Sequence, residues 1–143
     1  MIIDTLTSNQ FALVISQAAA PAFLLGAVAS FTSVLLLQLN RIIDKLQAIS
    51  SLSDENAITA KLKATRPLLK IRATNVGWAI YWAVGSGIAT CFVIVAAFAG
   101  AWFGVKHELG AAILFTISLG LFTVALITFG REIKVGLSQL EVD

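Results

Sequence analysis

The chain of 143 residues is 58% hydrophobic and only 13% charged, with a mean hydropathy of +0.90, whereas soluble domains are about 45–50% apolar and about 25% charged. A soluble fold of this length has too little interior to hide such a surface, so a soluble globular domain, a disordered chain and a disulfide scaffold are excluded and an integral membrane protein is indicated. A net charge of +2 is too small to indicate nucleic acid as a partner.

The elements follow in chain order. Thr7-Ser8-Asn9-Gln10 fits a capping box, and Phe11, Val14, Ile15 and Ala18 share a face beyond it. This predicts a short helix over about 7–19, lying in the membrane interface and ending near Pro21; extension of the first span is the competing reading. Ala18 to Leu39 is the first apolar segment, with no Asp, Glu, Lys or Arg, and the span itself is placed at about 21–40, Pro21 suiting a first helical turn. The helical pattern runs on past Leu39 through Ile42, Ile43, Leu46 and Ile49 to about Ser50. A polar turn follows, with Ser53 a predicted helix cap. The next helix places Ile58, Leu62, Thr65 and Leu69 on one face, and Pro67 is expected to kink or restart it. Residues 41–72 thus form a helical hairpin growing from the first two spans.

The second span covers about 73–104. Trp78, Tyr81 and Trp82 cluster at one end, with Trp102 and Phe103 at the other. Trp82 to Trp102 is about 30 Å of helix, the depth of the hydrocarbon core, and the arrangement reads as an aromatic belt. On that reading Lys70 and Arg72 lie about 15 Å or more beyond the core. Cys91, the single cysteine, is expected to be a small buried hydrophobe. The third span covers about 109–130, and 131–143 form a tail.

Lys and Arg are distributed unevenly. None precedes the first span. Seven (Arg41, Lys45, Lys61, Lys63, Arg66, Lys70 and Arg72) lie between the first and second, Lys106 alone between the second and third, and Arg131 and Lys134 after the third. Short loops rich in Lys and Arg stay in the cytoplasm. The predicted topology is a multi-pass inner-membrane protein with its N-terminus outside and its hairpin and C-terminus cytoplasmic.

Catalytic patterns are missing from the sequence. The lone His107 cannot assemble a metal site within one chain, and no metalloprotease, nucleophile-elbow, phosphate-loop or dinucleotide signature occurs. No ionisable residue lies inside a span, as proton-coupled transport would need. A non-enzyme without cofactor or metal is expected.

The strongest pattern is in the first span. Phe23, Gly26, Ser30, Ser33, Leu37, Asn40, Asp44 and Gln47 alternate by three and four residues, the period of left-handed helix packing. Thr116, Gly120, Thr123, Ile127 and Gly130 repeat it in the third span, and Ala96, Gly100 and Gly104 give the second a small-residue face. One reading has these stripes packing the three helices of a subunit together. The other has Gly26, Ser30, Ser33, Leu37, Asn40 and Asp44 facing another subunit or lining the axis of a homo-oligomeric channel. Arg41 and Asp44, three apart, can pair along one helix, and antiparallel geometry lets Asp44 reach Arg66 or Arg72 on the returning helix. Lys61, Lys63 and Lys70 are candidates for anionic headgroups.

Ala20-Pro21 opening the first span, Arg41-Ile42-Ile43-Asp44-Lys45 at its inner end, Arg66 through Arg72 before the second and Arg131-Glu132-Ile133 after the third resemble the bacterial membrane-protein family catalogued as domain of unknown function 2721. The resemblance covers nearly the whole chain. It implies a three-span protein and no assigned activity. Lys45 stands where that family commonly has Arg, and Gln38 where a further Arg often occurs. The sequence therefore predicts an all-α, three-span membrane protein with a cytoplasmic helical hairpin. It is expected to serve as a self-associating structural or accessory subunit, with membrane lipids, itself and a larger membrane complex as partners; the alternative is the channel.

Overall fold

The computed structural model describes residues 2–52, 57–103 and 108–138. Four helices follow one another: α1 (Ile2–Ser50), α2 (Ala57–Ala64), α3 (Arg66–Phe103) and α4 (Glu108–Ser138). Three stretches, Ala12–Ser50, Ile58–Phe103 and Leu109–Leu137, are long and apolar enough to cross a membrane. In hydrocarbon a helix is the natural state of such segments, since it satisfies every backbone polar group internally. The hydroxyls in the apolar runs follow the same rule: Thr32 donates to the Val28 carbonyl at 2.8 Å, Ser33 to Ala29 at 3.1 Å and Thr116 to Ala112 at 2.9 Å.

α1 is a single helix of 49 residues, about 74 Å long. It passes through Pro21 without ending, so the segment over 7–19 is an extension of the first span and not a separate helix. Thr7 lies inside the helix rather than capping it; the side chains of Thr7 and Gln10 fall outside the described residues, as do Ser53 and Gly104. At its far end Ser50 and Ser51 donate to the carbonyls of Gln47 and Ala48 at 2.7 and 2.9 Å, satisfying acceptors that the helix terminus leaves open. α2 stops at Ala64, and α3 begins one residue later with Pro67 in its first turn, where the missing N–H costs no helical bond. In α2 the residues turned inward are Thr59 and Lys63, whereas Ile58 and Leu62 are exposed. The apolar face expected there continues into the bundle only at Leu69.

α3 runs antiparallel between α1 and α4, which are therefore parallel to each other. Each helix buries a strip with a seven-residue repeat. On α1 it is Val14, Pro21, Val28, Leu35, Ile42 and Ile49; on α3 Leu69, Val76, Ala83 and Thr90; on α4 Ser118, Ala125 and Glu132. That repeat is the signature of left-handed packing. Small residues on α3 (Ala79, Ala83, Ser86 and Gly87) are buried and admit both neighbours closely. A Cβ on Gly87 would already stand 3.4 Å from Val28 Cγ1. α1 and α4 touch through Phe31, whose ring meets Phe122 and Phe129 edge-on at 5.6 and 5.5 Å, a favourable arrangement for aromatic pairs.

Candidate functional site

Two polar clamps join α3 to α4. The first lies within the apolar slab and consists of Ser86, Thr90 and Ser118, all fully buried. Ser86 Oγ donates to the Ser118 carbonyl at 2.8 Å, and Ser118 Oγ donates to the Ser86 carbonyl at 2.8 Å. Thr90 Oγ1 lies 2.6 Å from Ser118 Oγ and 2.8 Å from the Ser86 carbonyl. Three hydroxyl protons thus have three acceptors, and the cluster closes without water.

The second clamp is an ion pair between Arg72 Nε and Glu132 Oε1. The Glu132 side chain is 1% exposed and that of Arg72 15%. Gly136 makes room for it: a Cβ there would stand 2.9 Å from Arg72 Nη2. From Ser86 back to Arg72 is fourteen residues, and from Ser118 on to Glu132 is fourteen, so the two clamps hold one antiparallel register about 21 Å apart.

Arg72 does not pair with Asp44 on α1. It pairs instead with Glu132, and Asp44 is exposed and makes no ion pair among the described residues. α4 packs against α3 at that level, which gives Arg72 a buried carboxylate in preference to a solvated one. Arg41, Asp44 and Arg72 still meet around one cavity of about 350 Å³, lined also by Gln38, Ile42, Lys45 and Leu69; Arg66 is not among its walls. Lys61 and Lys70 are exposed and Lys63 half-buried.

The register also brings the ends of the apolar runs to a common edge. Leu39 and Gly130, the last residues of their apolar runs, come level with α3 near Thr74 and Asn75. Arg72 therefore lies within about one turn of that edge, closer than the aromatic belt implies. Trp78, Tyr81 and Trp82 form one ring cluster just inside it, with centroid separations of 5.7–6.5 Å.

The stripe of the first span points out of the bundle. Phe23 is 82% exposed, and Gly26, Ser30, Ser33, Leu37, Asn40, Asp44 and Gln47 are exposed as well. The stripe of the third span, Thr116, Gly120, Thr123, Ile127 and Gly130, is exposed along its whole length. A Cβ on Gly26, Gly120 or Gly130 meets nothing within 4 Å. These two stripes therefore do not pack the helices of one subunit together, whereas Gly100 of the second span's small-residue face is buried. They also match. Gly26 with Thr116, Ser30 with Gly120, Ser33 with Thr123, Leu37 with Ile127 and Asn40 with Gly130 are each ninety residues apart. The buried strips obey the same offset, Val28 with Ser118, Leu35 with Ala125 and Ile42 with Glu132. Pro21 and Ala111, again ninety apart, line one cavity at the other end. The two parallel helices thus carry their stripes at equal depth on opposite flanks.

Cys91 is exposed rather than buried. It lies on an apolar groove of about 550 Å³ between α1 and α3, with Val28, Thr32, Gly87, Ile88 and Val95. In a membrane helix an apolar neighbourhood in sequence is as often lipid as protein.

An all-helical bundle with three membrane-length helices and polar clamps between them defines a three-span membrane protein. The chain matches, over residues 18–142, the family described as protein of unknown function (DUF2721), and it belongs to that family. No curated protein and no solved structure matches it.

Proposed function

We propose that this protein is a non-catalytic membrane subunit that associates with copies of itself, the outer stripe of α1 in one copy lying against the outer stripe of α4 in the next. The observation that carries this reading is the match between the two outward stripes. Apart from Leu37 and Ile127 the matched positions are small or polar, both stripes run in the same direction, and the five α1 positions from Gly26 to Asn40 each have a counterpart at their own depth on α4. Without a hydrophobic drive between helices in lipid, close approach of small residues is what favours association. A contact between two different faces repeats around a ring when its rotation closes. The hydroxyls of Ser33, Thr116 and Thr123 are bonded to their own helices, so these three stripe positions need no water, which favours packing over a pore there.

The protein sits in the inner membrane with its α1–α2 turn and C-terminus in the cytoplasm, as the Lys and Arg distribution directs, and the same faces are available to a larger membrane complex. Native mass spectrometry in mild detergent tests the reading: wild type runs as an oligomer, and Gly26→Leu and Gly120→Leu each shift it toward monomer. A wild-type monomer overturns it. Modification of Ser30→Cys and Ser33→Cys by a membrane-impermeant thiol reagent would assign the stripe to a water-filled axis instead.

A further inference from the structure

We propose that the cavity at the α1–α2 end of the bundle binds the phosphate group of an anionic phospholipid. The cavity holds about 350 Å³ between α1 and α3 and is walled by Gln38, Arg41, Asp44, Lys45 and Arg72 over a floor of Ile42 and Leu69. Its charges do not balance internally. The Arg72 guanidinium is matched by Glu132, while Arg41 and Lys45 together face only Asp44. One positive charge is left over, and Gln38 adds amide donors beside it. Guanidinium, ammonium and amide N–H groups converging on one space are the donor set that phosphate oxygens take.

The depth of the cavity selects the source of that phosphate. Arg41 and Lys45 lie within two turns past Leu39, where the apolar run ends, and headgroups occupy the few ångströms beyond the hydrocarbon core. One heptad before Arg41 on the same strip of α1, Val34 is exposed, so that an acyl chain below the charged site would run along an apolar side chain. A free phosphate would use the donors and leave that side chain unused. The site is distinct from the general attraction of Lys61, Lys63 and Lys70 for a charged surface, and its donors Gln38, Arg41 and Lys45 lie off the outer stripe, which shares only Asp44 with the cavity.

The test is lipid retention by the full chain in mild detergent, measured by native mass spectrometry with phosphatidylglycerol, phosphatidylcholine or inorganic phosphate added. Arg41 and Lys45 are exposed, so the double variant Arg41→Gln/Lys45→Gln keeps the fold, which circular dichroism verifies. Arg131→Gln/Lys134→Gln, at two exposed positions of α4, removes the same charge elsewhere. Wild type is expected to retain phosphatidylglycerol in preference to phosphatidylcholine. The cavity variant should lose about fivefold in affinity per cation removed, roughly 25-fold in all, and the control variant little. Equal retention of the two lipids, or equal loss in both variants, overturns the proposal. Saturation by millimolar inorganic phosphate without retention of phosphatidylglycerol keeps the phosphate site and overturns the headgroup as its source.

Discussion

The Arg72–Glu132 pair offers a sharp energetic test of how the hairpin end of the bundle is held. Glu132 is 1% exposed at its side chain and Arg72 15%, so removing either partner strands a desolvated charge. Breaking a buried pair from one side costs about 3–5 kcal/mol. The residual exposure of Arg72 lets its guanidinium turn partly toward the cavity beside Arg41, which places Glu132→Leu near the lower figure, about 3 kcal/mol, or roughly two orders of magnitude in the folded-to-unfolded ratio. Arg72→Leu leaves the carboxylate with no such escape and costs at least as much. The double variant removes both charges and replaces them with apolar side chains, so it should lie close to wild type, because a buried pair exchanged for well-packed hydrophobic residues is often neutral. The midpoint of SDS-induced unfolding in mixed micelles, followed by tryptophan fluorescence, measures all four members of the cycle. A coupling of several kcal/mol is expected. A double variant whose loss equals the sum of the two single losses refutes the argument and makes the pair a solvated contact.

Three further outcomes follow from the packing. Ser118→Ala removes the hydroxyl shared by Ser86 and Thr90 and should cost about 1 kcal/mol, in line with interhelical hydrogen bonds in membranes; the same unfolding assay reads it, and no change would mean the cluster is not a clamp. Cys91→Leu, on the outer surface, should alter stability by less than about 0.5 kcal/mol, whereas Ala83→Leu, at a fully buried site, should cost about 1–3 kcal/mol by overpacking; equal effects would contradict the placement of Cys91. Gly136→Ala sets a Cβ 2.9 Å from Arg72 Nη2 and should weaken the ion pair by less than Glu132→Leu does, with no additional effect once Glu132 is gone.

The three membrane-length helices, the absence of strands among the described residues and the continuation of α1 past Leu39 to Ser50 are legible because they depend on length, apolarity and helical spacing alone. The phase of the packing was harder. A continuous apolar helix carries a three-and-four spacing in every phase, so the small polar stripe through Gly26 and Ser33 reads as the natural packing face when hydroxyls are assumed to point inward. The signal that resolves it lies past Leu39, where water makes burial informative again. Ile42, Ile43, Leu46 and Ile49 are the apolar positions among Arg41, Asp44, Lys45 and Gln47; only Ile42 shares its heptad position with Ile49, and stepping back from it by sevens lands on Leu35, Val28 and Pro21, the residues that are buried. The same step from Glu132 reaches Ala125 and Ser118. Glu132 is not legible as buried, because nothing in the sequence distinguishes a buried carboxylate two residues past a span from a solvated one. Cys91 is exposed despite its apolar sequence neighbours for a related reason: within a bilayer, an apolar environment does not separate inside from outside.

The outward stripes are the centre of the functional account, and cysteine cross-linking in native membranes interrogates them most directly. In a Cys91→Ser background, Ser33→Cys combined with Thr123→Cys places thiols at equal depth on the two flanks. Oxidation should then link successive copies into a ladder of covalent oligomers that neither single variant forms and that pairing Val34→Cys with Thr123→Cys does not reproduce. A chain that stays monomeric with the matched pair, while the thiols remain reactive, contradicts self-association through these faces.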